Sequence, residues 1–268
     1  MRLSDSLILA IDTETTGPKV EFDRIIELGG AYVFRGQPWG PLQRTPVNPG
    51  QYISAGAITV HGIRAEDVAN APKWPEVAGR LKAHLDEVKP VLCGYNAIFF
   101  DAAIIHAEND RHGIEWRLPP ILDPFLWARW DHRGERTLKL GTVCELYGIK
   151  LPEDRAHSAD ADSYATGLLL MGMLAAGILP DDVDEAFARQ AQIQRDLDAE
   201  MERFGRYLYE DRKDGTLRLG LGKHVGTRLV DAEHEYLRWM LGRPDLPDEA
   251  REHVRRTLGK VEQMGFGL

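Results

Sequence analysis

Leu7-Ile8-Leu9-Ala10-Ile11-Asp12-Thr13-Glu14-Thr15-Thr16-Gly17 is an apolar run that ends in two carboxylates one residue apart. Its five apolar residues read as a strand buried on both faces, the central strand of a sheet. Side chains alternate along a strand, so Asp12 and Glu14 point to one face, a pleat repeat apart. Held in a site, two like charges so close call for a cation; at the mouth of a solvated turn they need none. The pair alone leaves both readings open. Open α/β sheets place their sites at such strand ends.

Outward from this strand, Arg24 to Phe34 alternates as a second strand, with Gly29-Gly30 marking a bulge or a close approach. Pro38 to Pro49 reads as a turn-rich loop with room for a short strand. Trp74, Val77, Leu81 and Leu85 recur at helical spacing, and Pro90 opens a strand over Val91 to Tyr95. A helix follows from about Ile98 to His112, then a short strand at Ile121-Leu122, and helices over Leu138 to Tyr147 and Ala159 to Ala176. Strands that come first as a meander and then alternate with helices predict a mixed α/β sheet of about five strands with helices on its faces. The segment Gly177 to Asp182 is the expected boundary, giving a domain over 1–178 and a small, mostly helical C-terminal module over 179–268. In that module Ile193, Leu197, Met201, Phe204 and Leu208 step by three or four as one amphipathic helix.

The chain has 268 residues, 43% of them apolar, which suffices for a sizeable core. No apolar run is long enough to span a bilayer and no leader pattern opens the sequence, so a soluble cytoplasmic protein is expected. Cys93 and Cys144 match neither a zinc spacing nor a disulfide framework and read as small core residues. A formal charge of −9 argues against a protein that coats nucleic acid by general electrostatics. It leaves room for an enzyme that grips a few nucleotides, because carboxylates that hold cations count as negative in such a tally.

Two further junctions present acids. Asp101 falls in the first turn of the helix after Tyr95-Asn96-Ala97-Ile98-Phe99-Phe100, where the helix dipole alone would also favour it. His157-Ser158-Ala159-Asp160-Ala161-Asp162 opens the long apolar helix. Ser158 is a good N-cap, which places His157 in the loop before it, from where it and Asp162 can serve one site. Three strand-end or strand-to-helix junctions with an acid each, one adding a histidine, jointly favour a site. Four carboxylates without thiols suit hard cations such as Mg²⁺ or Mn²⁺. Two such ions about 4 Å apart are a standard device for displacement at phosphorus.

These residues resemble the DEDD-type 3′→5′ exonucleases of the RNase H-like fold, in the branch with a histidine in its third motif. Asp12 to Gly17 matches the first motif, Tyr95 to Asp101 the second, and His157 to Asp162 the third. Asn96 stands five positions before Asp101, where many members have four, a spacing similar to that of bacterial exonuclease I. Val60-His61-Gly62-Ile63 and Leu122-Asp123-Pro124 resemble supporting segments, and the likeness covers residues 6 to 176. The resemblance implies two Mg²⁺ or Mn²⁺ ions held by Asp12, Glu14, Asp101 and Asp162, with Asp12 bridging them and His157 as general base. It implies a role for Thr13, Thr15, Thr16, His61, Asn96 and Phe100 in holding the substrate's 3′ end, Ile98 being a lesser candidate.

Between Arg203 and Val230, seven Lys or Arg face three acids. Gly220 to Gly226 with Glu235 to Leu241 resembles a small accessory module that follows some exonuclease domains, although Leu221 stands where that module has an aromatic. Lys223, Arg228 and Arg238 are the expected strand contacts; the alternative is a solvated face used in packing. The leading expectation is an exonuclease on DNA, single-stranded or frayed, with a role in proofreading or repair and a polymerase or other DNA-processing partner. Its alternatives are an exoribonuclease and a non-catalytic nucleic-acid binder. The last has no reason to keep four carboxylates that repel phosphate.

Overall fold

The structure is a computed structural model and describes residues 1–135, 137–150 and 158–265. Its centre is the mixed sheet expected from the sequence, with helices on both faces and an RNase H-like arrangement. The first strand, β1 (Leu7–Thr15), pairs antiparallel with β2 (Ile25–Phe34), from Leu7 opposite Phe34 to Glu14 opposite Glu27. Two short strands, β3 (Gln37–Pro38) and β4 (Gln43–Pro46), both pair with β2, so the sheet has six strands rather than five. The turn-rich segment with room for a short strand thus supplies β4, and its prolines confine it to a sheet edge.

On the other side β1 runs parallel to β5 (Val91–Cys93), and β5 to β6 (Ile121–Leu122). The β1–β5 pairing stops at Ala10 opposite Cys93. Residues 11 to 15 of β1 therefore overhang the end of β5, and both carboxylates of the opening motif lie on this overhang. Helices α1 (Ala55–His61), α2 (Ala65–Val68) and α3 (Trp74–Val88) follow β4. Helix α4 (Asp101–Arg111) follows β5, and α5 (Pro124–Asp131), α6 (Leu140–Leu146) and α7 (Ala159–Ala175) come after β6. Leu9 and Ile11 face a core shared with Trp74, Val77, Ile104 and Ile105, which puts α3 and α4 on that face. Each fully buried side chain of this size contributes about 2 kcal/mol.

Helix α7 covers the opposite face. A Cβ on its Gly167 would stand 2.7 Å from Val33 and 3.5 Å from Ala10. Asp12 and Glu14 share the parity of Ala10, so they point toward α7, and Thr13 points toward α4.

The chain divides into two compact units, 1–127 with 139–190 and 128–138 with 191–268. In the second unit α8 (Val183–Phe204) ends before Gly205, whose φ of 59° stops the helix. Leu208, expected on that helix, instead opens the hairpin β7 (Leu208–Glu210) and β8 (Leu217–Leu219). Helices α9 (His234–Leu241) and α10 (Asp248–Gly265) complete a core around Phe204, Tyr207, Leu219, Leu237 and Met240. Among the described residues no helix is long and apolar enough to cross a membrane.

Candidate active site

The overhang of β1 delivers Asp12 and Glu14, the start of α4 delivers Asp101, and the first turn of α7 delivers Asp162. Gly29 sets the approach of α7. It pairs with Asp12 across the strands, and a Cβ there would stand 2.3 Å from the backbone of Ala159. Of the two uses open to this glycine, close approach is the one found; the register irregularity falls between Glu14 and Thr15 instead. Ser158 occupies the N-cap position of α7, its carbonyl accepting from the N–H groups of Ala161 and Asp162 at 3.0 Å each. Gly29→Ala should push this turn off the sheet and carry Asp162 away from Asp12. We expect about a 10²-fold loss in kcat with the chain still folded by circular dichroism, since a misplacement near 1 Å has that cost.

Asp101 is held from below. Thr13 is buried, and its hydroxyl donates to Asp101 Oδ1 at 2.6 Å. Thr13, expected at the substrate, thus positions a carboxylate, because alternation turns it to the α4 side. Thr15 and Thr16 are also buried. The Thr15 hydroxyl donates to the carbonyl of Gly17 (2.7 Å), and that of Thr16 to Asp23 (3.0 Å), so both hold the loop after β1.

The turn between β5 and α4 has a clamp that sequence reasoning missed. Asp123, fully buried, accepts from the backbone N–H groups of Asn96 (2.8 Å) and Phe125 (3.0 Å) through Oδ1 and of Ile98 (3.2 Å) through Oδ2. Its own N–H donates to Gln190 Oε1 at 2.7 Å, and Gln190 donates to the Ile121 carbonyl at 2.9 Å. The clamp fixes Asn96 at a φ of 60°, and with it the path to Asp101. Phe99 is 46% exposed there, whereas Phe100, the expected stacking residue, is partly buried. Burial pushes the Asp123 carboxyl up to about 7, against those three hydrogen bonds. Asp123→Ala strands three N–H donors, and a loss of about 3 kcal/mol or more in denaturant unfolding is expected, together with lower activity.

The electrostatics of the edge are unbalanced. Asp12 is driven well above the usual carboxylate range by burial and then by the charges of Asp101, Glu14, Asp162 and Glu27. Glu14 rises to about 8 through burial and the charges of Asp162, Glu27 and Asp101, partly offset by Arg44. Asp101 rises to about 6 through burial, with the bonds from Thr13 opposing. Glu27, which the sequence reading also passed over, faces Glu14 across the strands. Its Oε2 accepts from Arg44 Nε (3.0 Å) and Nη2 (2.8 Å), while its buried Oε1 has no hydrogen-bond partner.

Four carboxylates from three elements, opposed by burial first and, for Asp12 and Glu14, then by neighbouring acids, fit divalent cations in donor type and in charge. Among the described residues no three Asp, Glu, His or Cys side chains already converge on one point. His157 lies outside the described residues. His61 ends α1, its Nδ1 accepting from the N–H of Ile63 at 3.0 Å; burial lowers its pKa, with the Thr15 backbone and Glu27 opposing. Cys93 and Cys144 are free and buried, and burial pushes Cys144 up to about 12.

In the second unit much of the basic segment is neutralised. Arg203 pairs with Glu249 (2.7 Å), Arg206 with Asp245 (3.0 Å), Arg218 with Asp211 (2.6 Å) and Arg228 with Asp231 (2.6 Å). Lys223 is exposed in a 3₁₀ turn, Gly222–His224, and Arg238 lies on α9.

Residues 9–170 match the RNase T family model, described as an exonuclease. DNA polymerase III PolC-type of Bacillus cereus is 30% identical over 172 residues, 64% of this chain and 12% of that protein. The corresponding Streptococcus sanguinis protein is 28% identical over 170 residues, 63% of this chain and 11% of its own. This chain thus spans about a tenth of those relatives. In fold it is similar to Exonuclease X in complex with 5′ overhanging duplex DNA, with a TM-score of 0.52 and 20% identity over 68% of this chain and 99% of that one. It is similar also to E. coli Exonuclease I in complex with a dA16 oligonucleotide, with a TM-score of 0.55 and 16% identity over 97% and 71%.

Proposed function

Because this chain belongs to the RNase T exonuclease family, we propose that it is a divalent-metal-dependent 3′→5′ exonuclease that shortens DNA from single-stranded or frayed 3′ ends. The observation that carries this reading is the edge of β1, where burial and the charges of Asp101 and Asp162 raise the affinity of Asp12 and Glu14 for positive charge. In the proposal these four carboxylates hold two Mg²⁺ or Mn²⁺ ions. Bound there, the ions would supply charge neutralisation at phosphorus and lower the pKa of an attacking water. His157, the residue before Ser158 in the sequence, would take the proton from that water as general base; a neutral imidazole has the pKa for it. Thr13 and the Asp123 clamp orient Asp101, and Gly29 lets α7 bring Asp162 in. His61, Asn96 and Phe100 are proposed to line the terminal nucleotide. A nucleoside 5′-monophosphate would leave.

DNA is preferred over RNA as substrate because the PolC-type relatives carry the name of a DNA polymerase. The same names support a polymerase or another DNA-processing protein as partner. The test is to incubate 5′-labelled single-stranded DNA, duplex DNA and RNA with the protein in Mg²⁺, Mn²⁺ or chelator. A ladder that shortens from the 3′ end, needs metal and is fastest on single-stranded DNA supports the reading. Faster hydrolysis of RNA would move the substrate to RNA, and no ladder with any metal would contradict the reading.

Lys223, Arg228 and Arg238 are proposed to guide the strand, with Arg228 exchanging Asp231 for phosphate. Lys223→Ala with Arg228→Ala should weaken binding and flatten its salt dependence, with a slope change of about 0.7 per lost phosphate contact. Unchanged binding across a salt titration would remove these residues from the interface.

A further inference from the structure

Thr16, two residues beyond Glu14, ties two loops to the catalytic strand. Gln51 Nε2 donates to Thr16 Oγ1 (2.7 Å) and to the carbonyl of Phe22 (3.3 Å). The N–H of Ser54 donates to the Thr16 carbonyl (3.1 Å), and that of Arg24 to Thr16 Oγ1 (3.0 Å). Asp23 accepts from the Thr16 hydroxyl and from the N–H of Lys19 (2.7 Å). The loop after β1 and the loop before α1 are thereby fixed to each other, and each displays an aromatic ring. Phe22 is 69% exposed and Tyr52 is 79% exposed. The hydrogen bonds fix the two loops, and neither ring belongs to a described core cluster.

A cavity of about 200 Å³ is lined by Arg24, two residues after Phe22, and by residues 47–50, which end two residues before Tyr52, together with Lys73, Glu108 and His112. Glu108 is buried and already answered by Arg24 Nε (2.6 Å), Arg111 (3.6 Å) and His112 (3.6 Å). Arg24 also meets His112 Nε2 through Nη2 at 3.1 Å. Lys73, exposed at the N-cap position of α3, adds a cation that Glu108 does not face at ion-pair distance.

We infer that Phe22 and Tyr52, with the cavity at Arg24 and Lys73, form an upstream subsite that stacks unpaired bases and holds a backbone phosphate of the strand whose 3′ end occupies the acidic edge. The inference rests on the proposed action on nucleic acid. Exposed rings on the loops that line a cationic hollow match what an unpaired strand offers, bases with two faces and a charge at each step. A protein partner docking on the rings would leave the cationic hollow unexplained. Duplex DNA keeps its bases stacked on each other and gives the rings nothing to hold, so the subsite would favour single strands.

The test is equilibrium binding of 5′-fluorescein-labelled dT12, read by anisotropy in chelator and low salt. Phe22→Ala with Tyr52→Ala should raise Kd about 10- to 100-fold, the loss of one or two stacked bases. Tyr52→Phe should bind as the wild type does, whereas Tyr52→Leu, which keeps an apolar side chain without a ring, should lose affinity as alanine does. Lys73→Ala should reduce the slope of log K against log salt by about 0.7. Hydrolysis gives a second reading: KM should fall as the strand lengthens from two to about eight nucleotides, and the double alanine variant should lose most of that gain. Binding of dT12 by the double variant as tight as wild type, retention of affinity by Tyr52→Leu, or no binding by the wild type would each overturn the inference. Absence of hydrolysis with any metal would instead refute the catalytic reading, and the binding series would still decide on the subsite.

Discussion

Asp12→Asn should lose hydrolysis by on the order of 10⁴-fold or more while raising the melting midpoint of the metal-free protein. Both effects come from one carboxylate. In the folded chain Asp12 is opposed by burial and by four other acids, so replacing its charge with an amide relieves the fold. In the proposed reaction the same carboxylate would help to hold the metal ions, which an amide would hold poorly. His157→Ala, by contrast, should lose about 10² to 10⁴ in kcat and keep the response to metal, because a missing base leaves the carboxylates intact. Single-turnover hydrolysis and thermal unfolding in chelator measure the two effects of Asp12→Asn together. Activity within tenfold of wild type would remove Asp12 from the site. A lower midpoint would show that the acids are not strained against each other.

The second large effect is on the pH dependence of stability without metal. Glu14, Asp101 and Asp123 stand at about 8, 6 and 7 in the fold, against ordinary values of 4.5 for Glu14 and 3.8 for the aspartates. Each pKa is raised on folding, so the folded chain holds protons that the unfolded chain has released. Stability from these groups is therefore full below about pH 4 and falls as pH rises to about 8, beyond which it is flat. Asp181, Asp182 and Asp214 are shifted downward and lose their contribution only below about pH 4, and they are exposed enough for solvent to screen them. The metal-free midpoint should drop by about 5 °C or more between pH 5 and pH 8. Mg²⁺ should recover the share of that loss due to Glu14 and Asp101 at pH 8, not that due to Asp123, and do little at pH 5, since the ions compete with protons for the oxygens of the acidic edge. Calorimetric scans at the two pH values, with Mg²⁺ and with chelator, measure this. Equal midpoints, or a metal effect larger at pH 5, would contradict the electrostatic account.

Much of this site is visible in the sequence because it is local. Alternation puts Asp12 and Glu14 on one face, and a strand-to-helix junction puts Asp101 in a first turn. What escaped depends on registers and long-range partners. Glu27 becomes a neighbour of Glu14 only through the β1–β2 pairing, and Arg44 reaches it only through the register of β4 on β2, which no local pattern sets. Asp123 lies more than twenty residues from the turn it clamps, and no spacing rule links the two. Thr13 sits in the middle of the motif and shares its chemistry, yet strand parity sends it to the other face. Phe99 and Phe100 are indistinguishable in sequence, and the left-handed Asn96 belongs to the turn that decides which ring is outside. Leu208 fits a helical period, but Gly205 ends the helix first.

The central claim is that the acidic edge of β1 uses divalent metal to release nucleotides from the 3′ end. A single-stranded DNA labelled on its 3′-terminal nucleotide tests it most directly. With Mg²⁺ or Mn²⁺ the label should leave first, as a nucleoside 5′-monophosphate, and chelator should stop its release. Label that remains on long fragments while the strand is degraded, or that is released equally in chelator, would contradict the account.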